Sequence, residues 1–216
     1  VGGSSLWLAE MRQAEAVGVS LSADQVRRAR NYARRRGVPD RAAFFQRDFR
    51  DTGLAASSFD VVWALQTVGH TPDQGDFLRE AFRILKPGGR LVIQDGYDEQ
   101  RPLGPEDREL MQAWYDGWAA PPLPSLEDFQ RMAKEAGFVD IESRDVTDHL
   151  APSLRRTYRM CIVSLPISRG LKQIRLGSMQ PWNETRHANI LGTIAAWRSY
   201  ERGLWKIYLT RAVRPA

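Results

Sequence analysis

The sequence predicts an α/β fold built on a doubly wound sheet. Three observations carry this. Short apolar runs of strand length alternate with stretches of helical periodicity. The links between them are short and marked by Gly and Pro. One run, Phe59–Leu65, is almost continuously apolar, the pattern of a strand buried on both faces of a parallel sheet.

Taken in order, residues 1–10, VGGSSLWLAE, pass from glycines directly into a helical pattern. A glycine-rich turn feeding a helix N-terminus receives nucleotides and carboxylates, but it should follow a strand. No strand precedes it here, so the first strand reads as missing and the chain as N-terminally truncated. Residues 15–21 read as a strand. Ser22, Ala23, Asp24 and Gln25 then have the S-x-x-Q form of a capping box and open a helix to about Arg36, with Val26, Ala29 and Ala33 as its apolar stripe. A strand over 42–47 ends at Asp48, and a polar loop runs through Ser58 to the strand Phe59–Leu65. Thr71 and Pro72 suit the start of a helix striped by Phe77, Ala81, Ile84 and Leu85. Lys86, Pro87, Gly88 and Gly89 end it, and a strand follows over 90–94. Residues 98–124 carry prolines and the aromatics Trp114, Tyr115 and Trp118. They read equally as a substrate lid and as a helix packing its rings in the core. A capping box at 125–128 opens a further helix, and 138–146 alternates like a strand. Residues 151–200 are helical by periodicity, with breaks expected at Pro166, Gly170 and Pro181. Trp205–Val213 reads as a final strand at a sheet edge.

Composition narrows the function. A chain of 216 residues makes one domain, with lid or substrate regions around 98–124 and 151–200. No window approaches the roughly 18 apolar residues of a membrane span, which predicts a soluble protein with no membrane partner. The single cysteine, Cys161, excludes an internal disulfide and fits a reducing cytoplasm. The three histidines are dispersed, which argues against a metal site. A net charge of +5 and a pI of 9.6 raise nucleic acid as a partner. The densest basic run, Arg27, Arg28, Arg30, Arg34, Arg35 and Arg36, nevertheless reads as the solvated face of an amphipathic helix, and no nucleic-acid partner is expected.

In open α/β sheets ligands bind beyond the carboxyl ends of the strands, which makes the polar exit loop Gln66, Thr67, Val68, Gly69 and His70 the first site candidate. The stretches GVSLSADQ at 18–25, RD at 47–48, FDVVWALQTVGH at 59–70, LKPGG at 85–89 and EAGFVDI at 135–141 resemble the class I S-adenosylmethionine-dependent methyltransferases. The resemblance is to their small-molecule group, which includes tocopherol, sugar and terpenoid methyltransferases. It implies a Rossmann-like sheet with an antiparallel last strand and S-adenosylmethionine as cofactor. Gly2 and Gly3 would be the tail of the glycine loop beside the methionine part of the cofactor. Without the strand before them, the chain alone is expected to bind the cofactor weakly or not at all.

By the same resemblance Ser20, Leu21 and Gln25 serve the ribose. Asp48 and Phe49 lie beside the adenine, and Leu65, Gln66 and His70 lie beneath the transferable methyl group. Methyl transfer from a sulfonium needs a base only where the acceptor must lose a proton. His70, with an ordinary pKa of about 6.5, is the first candidate. Asp95, with Gln66 and Tyr97, is the second group able to bind or deprotonate an acceptor hydroxyl. Tyr97, Trp114, Trp118 and His149 are the substrate-binding candidates. Each has a plainer reading: Gln25 as a capping residue, Asp48 as a loop carboxylate, His70 as a packed histidine.

The expected function is methyl transfer to a small hydrophobic or glycosylated natural product, by a cytoplasmic enzyme for which a homodimer is an open option. A non-methylating relative, a cyclase or a binding protein, is the alternative. A nucleic-acid methyltransferase is disfavoured because ALQTVGH stands where base-modifying enzymes carry [DN]PP[YF]. A NAD-dependent oxidoreductase is disfavoured by Ser20 at the position of a ribose-binding acid.

Overall fold

The computed structural model describes residues 1–71, 73–99, 102–173 and 180–216. The chain forms two compact units, Val1–Ser58 with Asp76–Ile84, and Phe59–Gly75 with Leu85–Ala216.

The first unit holds α1 (Gly3–Arg12), β1 (Ala16–Ser20), α2 (Ala23–Arg35), β2 (Ala42–Gln46) and most of α3 (Gln74–Ile84). β1 and β2 pair in parallel, from Ala16 opposite Ala42 to Ser20 opposite Gln46. The predicted cap forms, with the Ser22 hydroxyl accepting from the Gln25 N–H. Val26, Ala29 and Ala33 turn inward to meet Leu6, Ala9 and Phe44 in one apolar cluster. Gly18 makes this packing possible: a Cβ there would lie 2.6 Å from the Phe44 ring. The loop before β3 is tied to α3 by Glu80, a buried carboxylate that accepts from the Thr52 N–H at 2.9 Å and from the Thr52 hydroxyl, and pairs with Arg83 at 2.7 Å.

The second unit is built on a four-stranded sheet of β3 (Phe59–Leu65), β4 (Leu85–Asp98), β5 (Val139–Asp145) and β6 (Trp205–Val213) in the order β3-β4-β6-β5. β3 and β4 are parallel, and β6 is antiparallel to both neighbours. A single 3₁₀ turn, Val68–His70, follows β3. Helices α4 (Pro105–Trp118), α5 (Leu126–Glu135), α6 (Thr147–Gln173) and α7 (Gln180–Glu201) complete the unit. Met111 and Trp114 of α4, Ala195 and Ala196 of α7, and Trp205 and Ile207 of β6 share a core cluster.

Four expectations need correction. β3 is not buried on both faces. Among the described residues it pairs with β4 alone and lies at the sheet edge, with Val61 37% and Trp63 46% exposed. The final strand is not at an edge. β6 runs between β4 and β5, because its direction lets it hydrogen-bond to both while its alternation buries Trp205, Ile207, Thr210 and Ala212. Lys86 to Gly89 do not separate a helix from a strand. They form a bulged opening of β4, in which Leu85 pairs with Phe59 and Arg90 already pairs with Val61, and Gly88 takes a φ of 75°. Pro166 and Gly170 do not interrupt their helix, since α6 runs from Thr147 to Gln173 with both residues on its exposed side. Pro181 stands in the first turn of α7, and Pro72 lies outside the described residues, with α3 starting at Gln74.

Candidate functional site

The exit loop of β3 is shaped by the backbone before any side chain is considered. The Gln66 N–H donates to the Gln94 carbonyl at 2.7 Å, continuing the β3–β4 ladder. Gln66 itself has a φ of 47°, which turns the chain abruptly out of the sheet. Asp95, one residue further along β4, holds the turned chain by its backbone. Its Oδ2 accepts from the Thr67 N–H at 3.1 Å and from the Gly69 N–H at 3.0 Å, and its Oδ1 accepts from the Gly96 N–H at 2.9 Å. The Thr67 hydroxyl donates to the Leu65 carbonyl, and Val68 plugs the loop into the interior at 1% exposure.

Asp95 is itself buried. Burial pushes its carboxyl above the ordinary range. The N–H groups of Gly69, Gly96, Val68 and Thr67 pull the other way, and burial prevails. Gly69 lets the two approach closely, since a Cβ there would lie 3.0 Å from Asp95 Oδ1 and the carboxylate would have to shift. The pinned loop leaves Gln66 and His70 exposed at the carboxyl end of β3, with Leu65 half-buried beneath them.

This geometry revises several side-chain roles. Asp95 acts as a clamp on the loop, because its oxygens are taken by backbone donors. Tyr97 is 1% exposed and packs against Phe129 and Tyr208, so it belongs to the core and presents nothing to a substrate. Burial drives its phenol far above the ordinary tyrosine value. Trp114 packs on Trp205 at 4.7 Å between ring centres and lies buried in the core cluster. Trp118 stands at the cluster's margin, 37% exposed, with its Nε1–H donating to the Thr193 hydroxyl. His149 lies exposed in the first turn of α6. The sequence places Thr67 and Gly69 in the candidate exit loop but gives neither a role of its own. The signal available was a glycine within a polar loop, at a point where the backbone must leave a strand.

In the first unit, Gly2 has a φ of 68° and precedes α1, whose N-terminus has no side-chain cap. A Cβ on Gly2 would meet Ala29 and Phe44 at 3.0 Å. Gly3 opens the helix with nothing packed over it. At the carboxyl end of β1 the Ser20 hydroxyl donates to Gln25 Oε1 at 2.8 Å, and among the described residues no acceptor takes the Gln25 amide hydrogens. Leu21 is 64% exposed beside them, and its carbonyl accepts from Gln46. Asp48 is held by Arg50 through a two-pronged ion pair and the Arg50 N–H, which keeps its carboxyl below the ordinary range. Phe49 packs edge-on against Phe77 at 5.6 Å.

Residues 1–93 match the family model of the methyltransferase domain. The chain is 35% identical over 153 residues to 27-O-demethylrifamycin SV methyltransferase of Amycolatopsis mediterranei, covering 70% of this chain and 56% of that protein. It is 29% identical over 160 residues to the chloroplastic tocopherol O-methyltransferase of Arabidopsis thaliana, covering 70% of this chain and 45% of that protein. Among solved structures, geranyl diphosphate C-methyltransferase from Streptomyces coelicolor, crystallised with Mg²⁺, geranyl diphosphate and S-adenosyl-L-homocysteine, superposes with a TM-score of 0.75 at 19% identity over 99% of this chain and 67% of that one. Sheet and loop define a Rossmann-like α/β protein of the methyltransferase type. Over residues 1–93 the chain matches the methyltransferase-domain family, and the curated proteins it is similar to are small-molecule methyltransferases. It spans about half the length of the curated relatives it matches.

Proposed function

We propose that this protein transfers a methyl group from S-adenosylmethionine to a small hydrophobic or glycosylated natural-product acceptor. The observation that carries the proposal is the loop pinned by Asp95, which holds His70 and Gln66 exposed at the carboxyl end of β3. The chain's residues fit the cofactor. The N-terminus of α1, uncapped by any side chain, suits the methionine carboxylate, with Gly2 and Gly3 keeping its approach free of side chains. Ser20 orients the Gln25 amide so that its free hydrogens serve ribose oxygens, beside the exposed Leu21. Phe49 offers a ring edge to the adenine. Asp48 fits less well as a partner of the adenine amine, since Arg50 already occupies it.

The bound cofactor supplies an activated methyl on a sulfonium. The protein's part is to orient the acceptor, exclude water and take a proton where one is released. His70 takes that proton, imidazole being the side chain type best suited to proton transfer near neutrality. Trp118 and His149 are assigned to the acceptor, and Tyr97 and Trp114 are withdrawn from it. We assign the protein to the cytoplasm as a single catalytic domain acting without nucleic acid. A homodimer remains open to ultracentrifugation.

The test incubates the intact protein with methyl-labelled S-adenosylmethionine and 27-O-demethylrifamycin SV, a tocopherol and geranyl diphosphate. Label in one of these acceptors supports the proposal. Cofactor bound but never consumed would move the protein to the non-methylating alternative.

A further inference from the structure

We propose that the outward face of α6 docks on an anionic lipid bilayer. The helix has two unlike sides. Inward, Tyr158 stacks on Trp197 at 5.6 Å and Ser168 hydrogen-bonds with His187 at 3.0 Å, fixing α6 against α7. Outward, Arg155, Arg156 and Arg159 come first, and Met160, Val163 and Ile167 follow on the same side at 62%, 76% and 66% exposure. Arg169 closes the stretch. Residues 149–170 contain no Asp or Glu.

The arginines of α2 show what an ordinary solvated face looks like in this protein. There Arg27 and Arg28 share Asp24, Arg36 pairs with Glu10, and Arg30 donates to the Phe44 carbonyl. On α6 no carboxylate among the described residues pairs with Arg155, Arg156, Arg159 or Arg169, and Arg155 instead lies 5.4 Å over the Trp197 ring. Arg155, Arg156 and Arg159 line a concavity of about 460 Å³ together with Asp148, Ala151, Pro152 and Met160, so three guanidinium groups face a single carboxylate there. Guanidinium groups without a carboxylate partner are matched to phosphate oxygens. Apolar side chains standing free beside them are matched to the boundary between headgroups and acyl chains.

Both features together select the bilayer. A second copy of the chain would set arginines against arginines. A nucleic acid would use the arginines and leave Val163 and Ile167 in water. Such docking lies on a membrane and does not cross it; among the described residues no helix is long and apolar enough to cross one.

The test is sedimentation of the intact protein with phosphatidylcholine vesicles, with and without phosphatidylglycerol. The wild type should bind only the anionic vesicles. The R155Q/R156Q/R159Q variant should lose at least roughly tenfold in affinity, from the loss of three headgroup attractions. V163S/I167S should also weaken binding, while both variants keep the wild-type circular dichroism and melting temperature. Equal binding with and without phosphatidylglycerol, or none to either, would overturn the proposal. So would undiminished binding by V163S/I167S, or equally tight binding to single-stranded RNA, since either makes the face a general polyanion site.

Discussion

Asp95 ties the exit loop of β3 to the sheet through the Thr67 and Gly69 N–H groups and also accepts from its neighbour Gly96, and its removal would leave these part-buried donors without that partner. Asp95→Ala is therefore expected to destabilise the protein by about 2–4 kcal/mol in denaturant titrations, from unsatisfied donors at roughly 1–3 kcal/mol each with partial relaxation. The pH dependence has a definite sign. Burial raises the folded pKa of Asp95 above its unfolded value of about 3.9, so the folded protein holds the proton more tightly. The stability this contributes is present below the unfolded value and is lost as pH rises through the folded one. Asp95→Asn should flatten that part of the stability curve. Glu80 behaves oppositely. Burial pushes its pKa up, but the bonds from Arg83 and Thr52 outweigh burial and the folded pKa is lowered. Its contribution is present above the unfolded value of about 4.3 and is lost as pH falls through the folded one. Glu80→Gln should reduce the acid sensitivity of stability; an unchanged acid limb would show that the Thr52–Glu80–Arg83 network does not set it.

Elements meet most tightly where α4 crosses α7. A Cβ on Gly117 would lie 2.5 Å from the Gly192 Cα, and one on Gly192 would lie 2.7 Å from the Trp118 ring. Because the obstacle at Gly117 is backbone, no rotamer relieves it. Gly117→Ala should cost about 1–3 kcal/mol by overpacking, read as a lowered denaturation midpoint with an unchanged slope. Most elements were legible in the sequence because apolar spacing and caps report local structure; the Ser22 cap and the Val26, Ala29, Ala33 stripe are as expected. Partner number is not local. The apolar run of β3 reads as a doubly buried strand, yet its edge position leaves Trp63 exposed, and the alternating β6 reads as an edge while pairing on both sides. The aromatic 98–124 region was undecidable for the same reason, since Trp114 is explained by Trp205, far along the chain. At the candidate site the loop 66–70 was visible as polar residues after a strand. The Asp95 clamp was not, because its bonds go to backbone groups that no side-chain pattern announces.

At the scale of the whole molecule, the similarity to methyltransferases and the exposed His70 support the proposal that Asp95 builds the loop and His70 takes a proton during methylation. The measurement that tests it most directly follows methyl-labelled S-adenosylmethionine into the acceptor panel, with wild type and His70→Gln in parallel and cofactor affinity measured by calorimetry. The account predicts label in at least one acceptor and a drop of about 10²–10⁴-fold in kcat for His70→Gln, the usual share of a general base, with cofactor affinity unchanged. Wild-type turnover by His70→Gln, or cofactor bound by the wild type with no acceptor labelled, would contradict it.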